Sequence, residues 1–162
     1  MRNVVASVFV VGLFSLPVAA AQGRSGGSPA SPGIKACSLL TKDLAMKVSG
    51  GVNKAVFDIP PSEEPAGKSG SACDYADIHL QIDPFSVSFV DATAQKDKTW
   101  VPVPGVGDRA WFHNNRDRFA ELMVIANGHV LTIQQGVPFE STAEKMKPNV
   151  ITLGQAIVPK LK

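Results

Sequence analysis

The pair Asn127-Gly128 constrains this chain more than any other feature. Two apolar runs flank it, FAELMVIA before and HVLTIQQ after. An Asn-Gly pair between such runs predicts a two-residue type I′ hairpin, because both central residues must take φ > 0. The register follows: Ala126 faces His129, Val124 faces Leu131, and Leu122 faces Ile133. That face is nearly all apolar and is the expected core. The opposite face carries Glu121, Met123, Ile125, Val130 and Thr132, a mixed set. A slip of one residue would send Glu121 and Thr132 inward, so the pattern itself pins the register.

The rest of the chain reads as support for this hairpin. Thr41 is a good N-cap with Asp43 in the first turn, and Leu40, Leu44 and Val48 form a stripe. Gly50-Gly51 stops that short helix. Residues 52–59 are expected to form a strand that buries Val56 and Phe57. PPSEEPAGKSG, residues 60–70, reads as loop. Residues 71–75 resume strand character, with Cys73 and Tyr75 pointing the same way. Ile78, Leu80 and Ile82 alternate with polar residues, as do Phe85, Val87 and Phe89, so both segments read as strands. Asp83-Pro84 between them is expected to be a bulge in one long edge strand. Residues 92–98 suggest one helical turn, and WVPVPGVG at 100–107 a loop. Residues 109–113 form a strand with Ala110 and Phe112 on one face and Trp111 on the other. NNRDR then turns into the hairpin, completing a three-strand meander. At the C-terminus, Ser141 and Glu144 have capping-box spacing. Met146, Val150, Leu153, Ile157 and Leu161 then form one stripe. Pro148 falls inside it, which predicts a kink or a staggered start.

With 162 residues, 44% of them hydrophobic, the chain has room for one domain with a sizeable core. Residues 1–21 read as a secretory signal peptide: Arg2, an apolar stretch at 4–16, Pro17, then VAAA for cleavage after Ala20 or Ala21. The alternative is an uncleaved anchor, the one case in which a membrane enters. Residues 22–35 are a Gly/Ser/Pro-rich flexible linker, and 36–162 form the folded domain. Export to the periplasm or the medium makes the two cysteines, Cys37 and Cys73, a disulfide candidate. Two buried free thiols are the alternative; a metal site lacks ligand spacing. The formal net charge of +2 is too balanced for a nucleic-acid partner.

The chemical candidates are thin. GVGDRA at 105–110 matches a dinucleotide-loop pattern, but prolines precede it and a strand follows, so no cofactor is expected. RSG in the linker has no oxyanion hole or positioned base. His79, His113 and His129 lack ligand spacing and read as polar surface, and no metal is expected. Asp74, Asp77 and Asp83 read as solvated strand ends. Trp100, Trp111 and Phe112 make the best candidate binding surface, because aromatic rings bind at low entropic cost. Core or loop packing is the competing explanation for all three rings.

Three stretches resemble a known group: ACSLLT at 36–41, ACDY at 72–75 and PGVGDRAWF at 104–112. The chain is similar to small exported bacterial domains of unknown function, many of them actinobacterial envelope lipoproteins. Those domains have a C-S-L-L-T start, a C-x-Y cysteine and a V-P-G-[VL]-G-D-x-A-[WF] turn. The resemblance implies an α+β domain with an antiparallel sheet of about five to six strands, a short N-terminal helix, a C-terminal helix and a Cys37–Cys73 bridge. It carries over no catalytic residue, and the lipid-acceptor cysteine of the lipoproteins is missing here. The expectation is a non-catalytic binding module of the cell envelope, its partner an envelope protein or a small ligand. A hydrolase or metal-dependent enzyme assembled from distant Asp and His residues is the alternative from another class. A sensor-like ectodomain is a third.

Overall fold

Both residues of the Asn127-Gly128 turn lie in the left-handed region, with φ of 53° and 80°. The computed structural model describes residues 33–49 and 54–162. The expected signal segment, most of the linker, the Gly50-Gly51 stop and Val52 lie outside the described residues. The turn joins β6 (Phe119–Ala126) to β7 (His129–Gly136). Their pairing is the one the sequence predicts: Ala126 with His129, Val124 with Leu131, Leu122 with Ile133.

The other strands are β1 (Ser62–Ala66), β2 (Gly70–Tyr75), β3 (Ile78–Ile82), β4 (Val101–Pro102) and β5 (Arg109–Asn115). All seven form one antiparallel sheet in the order β1-β2-β3-β7-β6-β5-β4. The helices are α1 (Ala36–Leu39), α2 (Lys42–Val48), α3 (Val87–Lys96) and α4 (Ala143–Ile157). The class is therefore α+β.

The main core lies on the face of Leu122, Val124, Leu131 and Ile133. The C-terminal stripe fills it: Val150, Leu153, Ile157 and Leu161 are each 0% exposed. α4 runs through Pro148 without interruption, and its N-cap is Thr142, one residue beyond the expected Ser141. Thr41 caps α2 as expected, its hydroxyl accepting from Leu44 N at 3.3 Å, a contact worth about 1 kcal/mol.

The GVGD turn proves structural. Val106 is buried in the core, and Gly107 has φ 59°. A Cβ there would sit 2.7 Å from both Ile125 O and Val124 Cγ1, so no other residue fits. Asp108 Oδ2 accepts from Asn127 N at 3.1 Å, and Asn127 Nδ2 donates to Leu161 O at 2.7 Å. One side of the hairpin turn is thus clamped by the GVGD loop and the other by the end of the chain.

Several expectations need correction, among them the loop at 100–107, which contains β4, and the single turn at 92–98, which is the second half of α3. PPSEEPAGKSG is not all loop, because it contains β1. As an edge strand with its first four residues exposed, β1 has no burial pattern to betray it. The expected strand at 52–59 is instead a 3-10 turn, Lys54–Asp58, although Phe57 is buried and accepts the Tyr75 hydroxyl on its carbonyl at 2.9 Å. The expected strand through Phe85, Val87 and Phe89 is the start of α3, capped by Ser86, whose hydroxyl accepts from Phe89 N. Val87, Val90 and Ala94 give the helical spacing that the two-residue alternation masked. Asp83-Pro84 is accordingly a corner and not a bulge. Asp83 takes φ 51°, and its carboxylate accepts from His129 Nδ1 at 2.7 Å and Val130 N at 2.8 Å.

Both edge strands contain proline, Pro65 in β1 and Pro102 in β4. Proline cannot donate to a ladder, so edges are where a sheet tolerates it.

Cys37 and Cys73 form a disulfide with Cα atoms 5.0 Å apart, tying α1 to β2 across 36 positions. Glu63 reinforces the joint: its carboxylate accepts from Cys37 N at 2.9 Å and from the Ser71 hydroxyl, while Ser71 Oγ accepts from Ala36 N at 3.0 Å. Replacing both cysteines by serine is expected to lower stability by about 3–4 kcal/mol. The measurement is the urea midpoint, and a reductant should lower the parent to the same value.

Candidate functional site

The two faces of the sheet are covered unequally. α4 packs on β5, β6 and β7 from the main core side. On the other side α3 supplies Val90, which packs with Met123, Ile125 and Val130, with Val87, Trp100 and Trp111 at the margin. This second cluster covers the end of the face near the Asn127-Gly128 turn. The mixed residues beside the hairpin are therefore mostly interior, and Thr132 is buried with its hydroxyl meeting no partner among the described residues.

Farther from the turn, the same face changes character. The pairing sets Ser62, Asp74, His79, Gln134, Glu121 and His113 directly opposite one another across β1, β2, β3, β7, β6 and β5. All six are polar, and hydrogen bonds link most of them. His79 Nδ1 donates to Asp74 Oδ1 at 2.6 Å, Gln134 Nε2 to Glu121 Oε1 at 3.0 Å, and His113 Nδ1 approaches Glu121 Oε2 at 3.4 Å. Trp100 closes the row by stacking on the His113 ring, centroids 4.7 Å apart.

His113 also lines a hollow of about 540 Å³ at the β5–β6 turn, with Asp97, Thr99, Asn114, Asn115, Arg116 and Arg118. The turn is built from residues that L side chains rarely allow: Arg116 and Asp117 have φ of 51° and 54°. Asp117 holds it there. Its Oδ1 accepts from Asn114 Nδ2 at 3.0 Å and from Ala143 N at the start of α4, and its own N–H donates to Asn114 Oδ1 at 2.8 Å. The opposite wall is fixed by Asp97, whose Oδ1 accepts from Thr99 Oγ1 at 2.7 Å and Thr99 N at 2.9 Å. The Thr99 hydroxyl bond, then the Thr99 backbone bond, hold the Asp97 carboxyl below its ordinary value, and nearby His113 adds to the effect.

The three expected binding aromatics separate. Trp100 is half-buried and belongs to the site through His113. Trp111 is half-buried on the same face, opposite Met123, and lines a smaller cleft with Pro102, Pro104 and Arg109. Phe112 does not belong to the surface. It is 1% exposed in the main core, with the Lys147 ammonium 4.8 Å from its ring centre. It shares that face with Ala110, as the strand alternation predicts.

Each histidine, read from sequence as plain polar surface, has a carboxylate partner: Asp74 for His79, Glu121 for His113, Asp83 for His129. Sequence spacing could not reveal this, because the partners meet only across strands or at a corner. The order along the row matters chemically. Asp74 stands between Ser62 and His79, whereas nucleophile activation needs the imidazole between hydroxyl and acid. Among the described residues no three His, Cys, Asp or Glu side chains converge to hold a metal, and no helix is long and apolar enough to cross a membrane. What the arrangement offers is a flat array of donors and acceptors ending at an aromatic wall and a polar hollow.

Compared with family models, with curated proteins and with solved structures, the chain matches none.

In Thr99→Val the hydroxyl bond is lost and the backbone bond stays. The Asp97 carboxyl is then expected to titrate at higher pH than in the parent, read by NMR.

Proposed function

We propose that this domain is a non-catalytic binding module of the bacterial cell envelope, exported to the periplasm or the medium, and that it binds through the uncovered part of its second sheet face. One observation carries the reading. The helices cover one face and one end of the other, and the polar row from Asp74 to His113 with Trp100 at its end is left outside them. Surface built from ordered, cross-linked polar side chains beside an aromatic ring suits recognition. The order of Ser62, Asp74 and His79 supports binding over hydrolysis. The disulfide supports an oxidising compartment, and the apolar stretch at 4–16 after Arg2 supports export. The short stretches that resemble those of exported envelope domains favour the same setting.

The test places a photo-cross-linking residue at Gln134 on the open face, or at Gln155, which is exposed on α4. In envelope extracts, position 134 is expected to give a discrete adduct that Trp100→Ala abolishes, while position 155 gives none. Equal labelling from both positions, or an adduct indifferent to Trp100, refutes the proposed face.

A further inference from the structure

We infer that the hollow at the β5–β6 turn binds a small ligand through an oxyanion, a carboxylate or a phosphate group. The inference rests on the binding-module reading and names the chemistry of one end of that face.

The cations there are without partners among the described residues. Among the described residues, Arg109 pairs with Asp91 at 2.5 Å and Lys42 with Asp58 at 2.7 Å. The side chains of Arg116 and Arg118 line the hollow, and no hydrogen bond or ion pair engages either guanidinium among the described residues. Guanidinium groups are planar forks that match the two oxygens of a carboxylate or phosphate. Other donors stand around them: the Asn115 amide and His113, while the Asn114 amide already donates to Asp117. With His113 Nδ1 turned to Glu121, Nε2 is the nitrogen left for a ligand.

The one acid lining the hollow is Asp97, and Thr99 engages it twice through the same oxygen. Two guanidinium groups and one carboxylate line the hollow, and the neighbouring Asp117 and Glu121 carboxylates are engaged by Asn114, Ala143 N and Gln134. Its volume of about 540 Å³ falls in the range of small-molecule clefts, and its geometry does not depend on a ligand to form. Asp117 ties the turn to α4, so Arg116 and Arg118 are carried on a fixed backbone despite its left-handed conformation.

The experiment titrates the full chain with inorganic phosphate and, separately, with acetate at constant ionic strength. The readouts are tryptophan fluorescence, sensitive through the Trp100–His113 stack, and NMR shifts of Thr99, His113 and Asn115. At least one anion is expected to saturate the signal, and Arg116→Ala and Arg118→Ala each to weaken it tenfold or more. Arg118→Lys should fall between, since it keeps the charge and loses the fork. Arg116→Gly removes the guanidinium and relaxes the left-handed backbone, so it should keep the parent's melting temperature and still lose the anion. Lys68→Ala, in a different hollow beside Phe85, should change nothing. Saturation by phosphate alone assigns a phosphate ligand, and by acetate alone a carboxylate. A response that fails to saturate with either anion, or that survives both arginine replacements, overturns the inference. Those results leave a Trp100-dependent adduct at Gln134 intact, so the two readings fail separately.

Discussion

The β6–β7 hairpin is buried on both of its faces over only part of its length, and the remaining architecture follows from that. On one side Leu122, Val124, Leu131 and Ile133 meet α4 along its whole stripe. On the other, Met123, Ile125 and Val130 meet Val90 of α3. Burial of this kind is non-directional and proportional to apolar area, so it places helices wherever such area exists. The type I′ turn decides which residues share a face, and so decides where both helices can lie.

The candidate site lies where that supply of apolar surface ends. Beyond Met123 the second face offers Glu121, Gln134, His79 and His113. A helix laid over them would have to desolvate carboxylates and imidazoles whose hydrogen bonds are already committed to each other. Burying such groups is costly unless every one is satisfied. The uncovered end is thus an outcome of the same rule that builds the core. The loop from α3 to β4 brings Trp100 over the last histidine of the row.

Legibility in the sequence tracked how strongly a segment's burial was patterned. The hairpin register, the stripe of α4, the inward pair Cys73 and Tyr75, and β3 were all readable because one face of each is interior. β1 was not, since SEEPA has almost no interior face, and the start of α3 was not, since FSVSFV satisfies a two-residue and a helical spacing together. The site was less legible still. The three histidine–carboxylate pairs are made by register and by the corner at Asp83, so no local motif marks them. NNRDR was read as a polar turn, which residues 116–118 form, yet nothing in its composition says that Asp117 holds it while neither arginine is paired among the described residues. Trp100 was singled out because aromatics beside a rigid loop are few. For Phe112 the competing explanation, core packing, is the one that holds.

The prolines at the two margins of the sheet have a consequence for how the molecule behaves in company. An unprotected outer strand is a template on which another chain can continue the ladder, the usual route to filaments. Pro65 on one flank and Pro102 on the other each remove a donor from that template, and Glu63 and Glu64 add charge beside the first. Copies of this domain crowded together therefore have no easy way to join edge to edge.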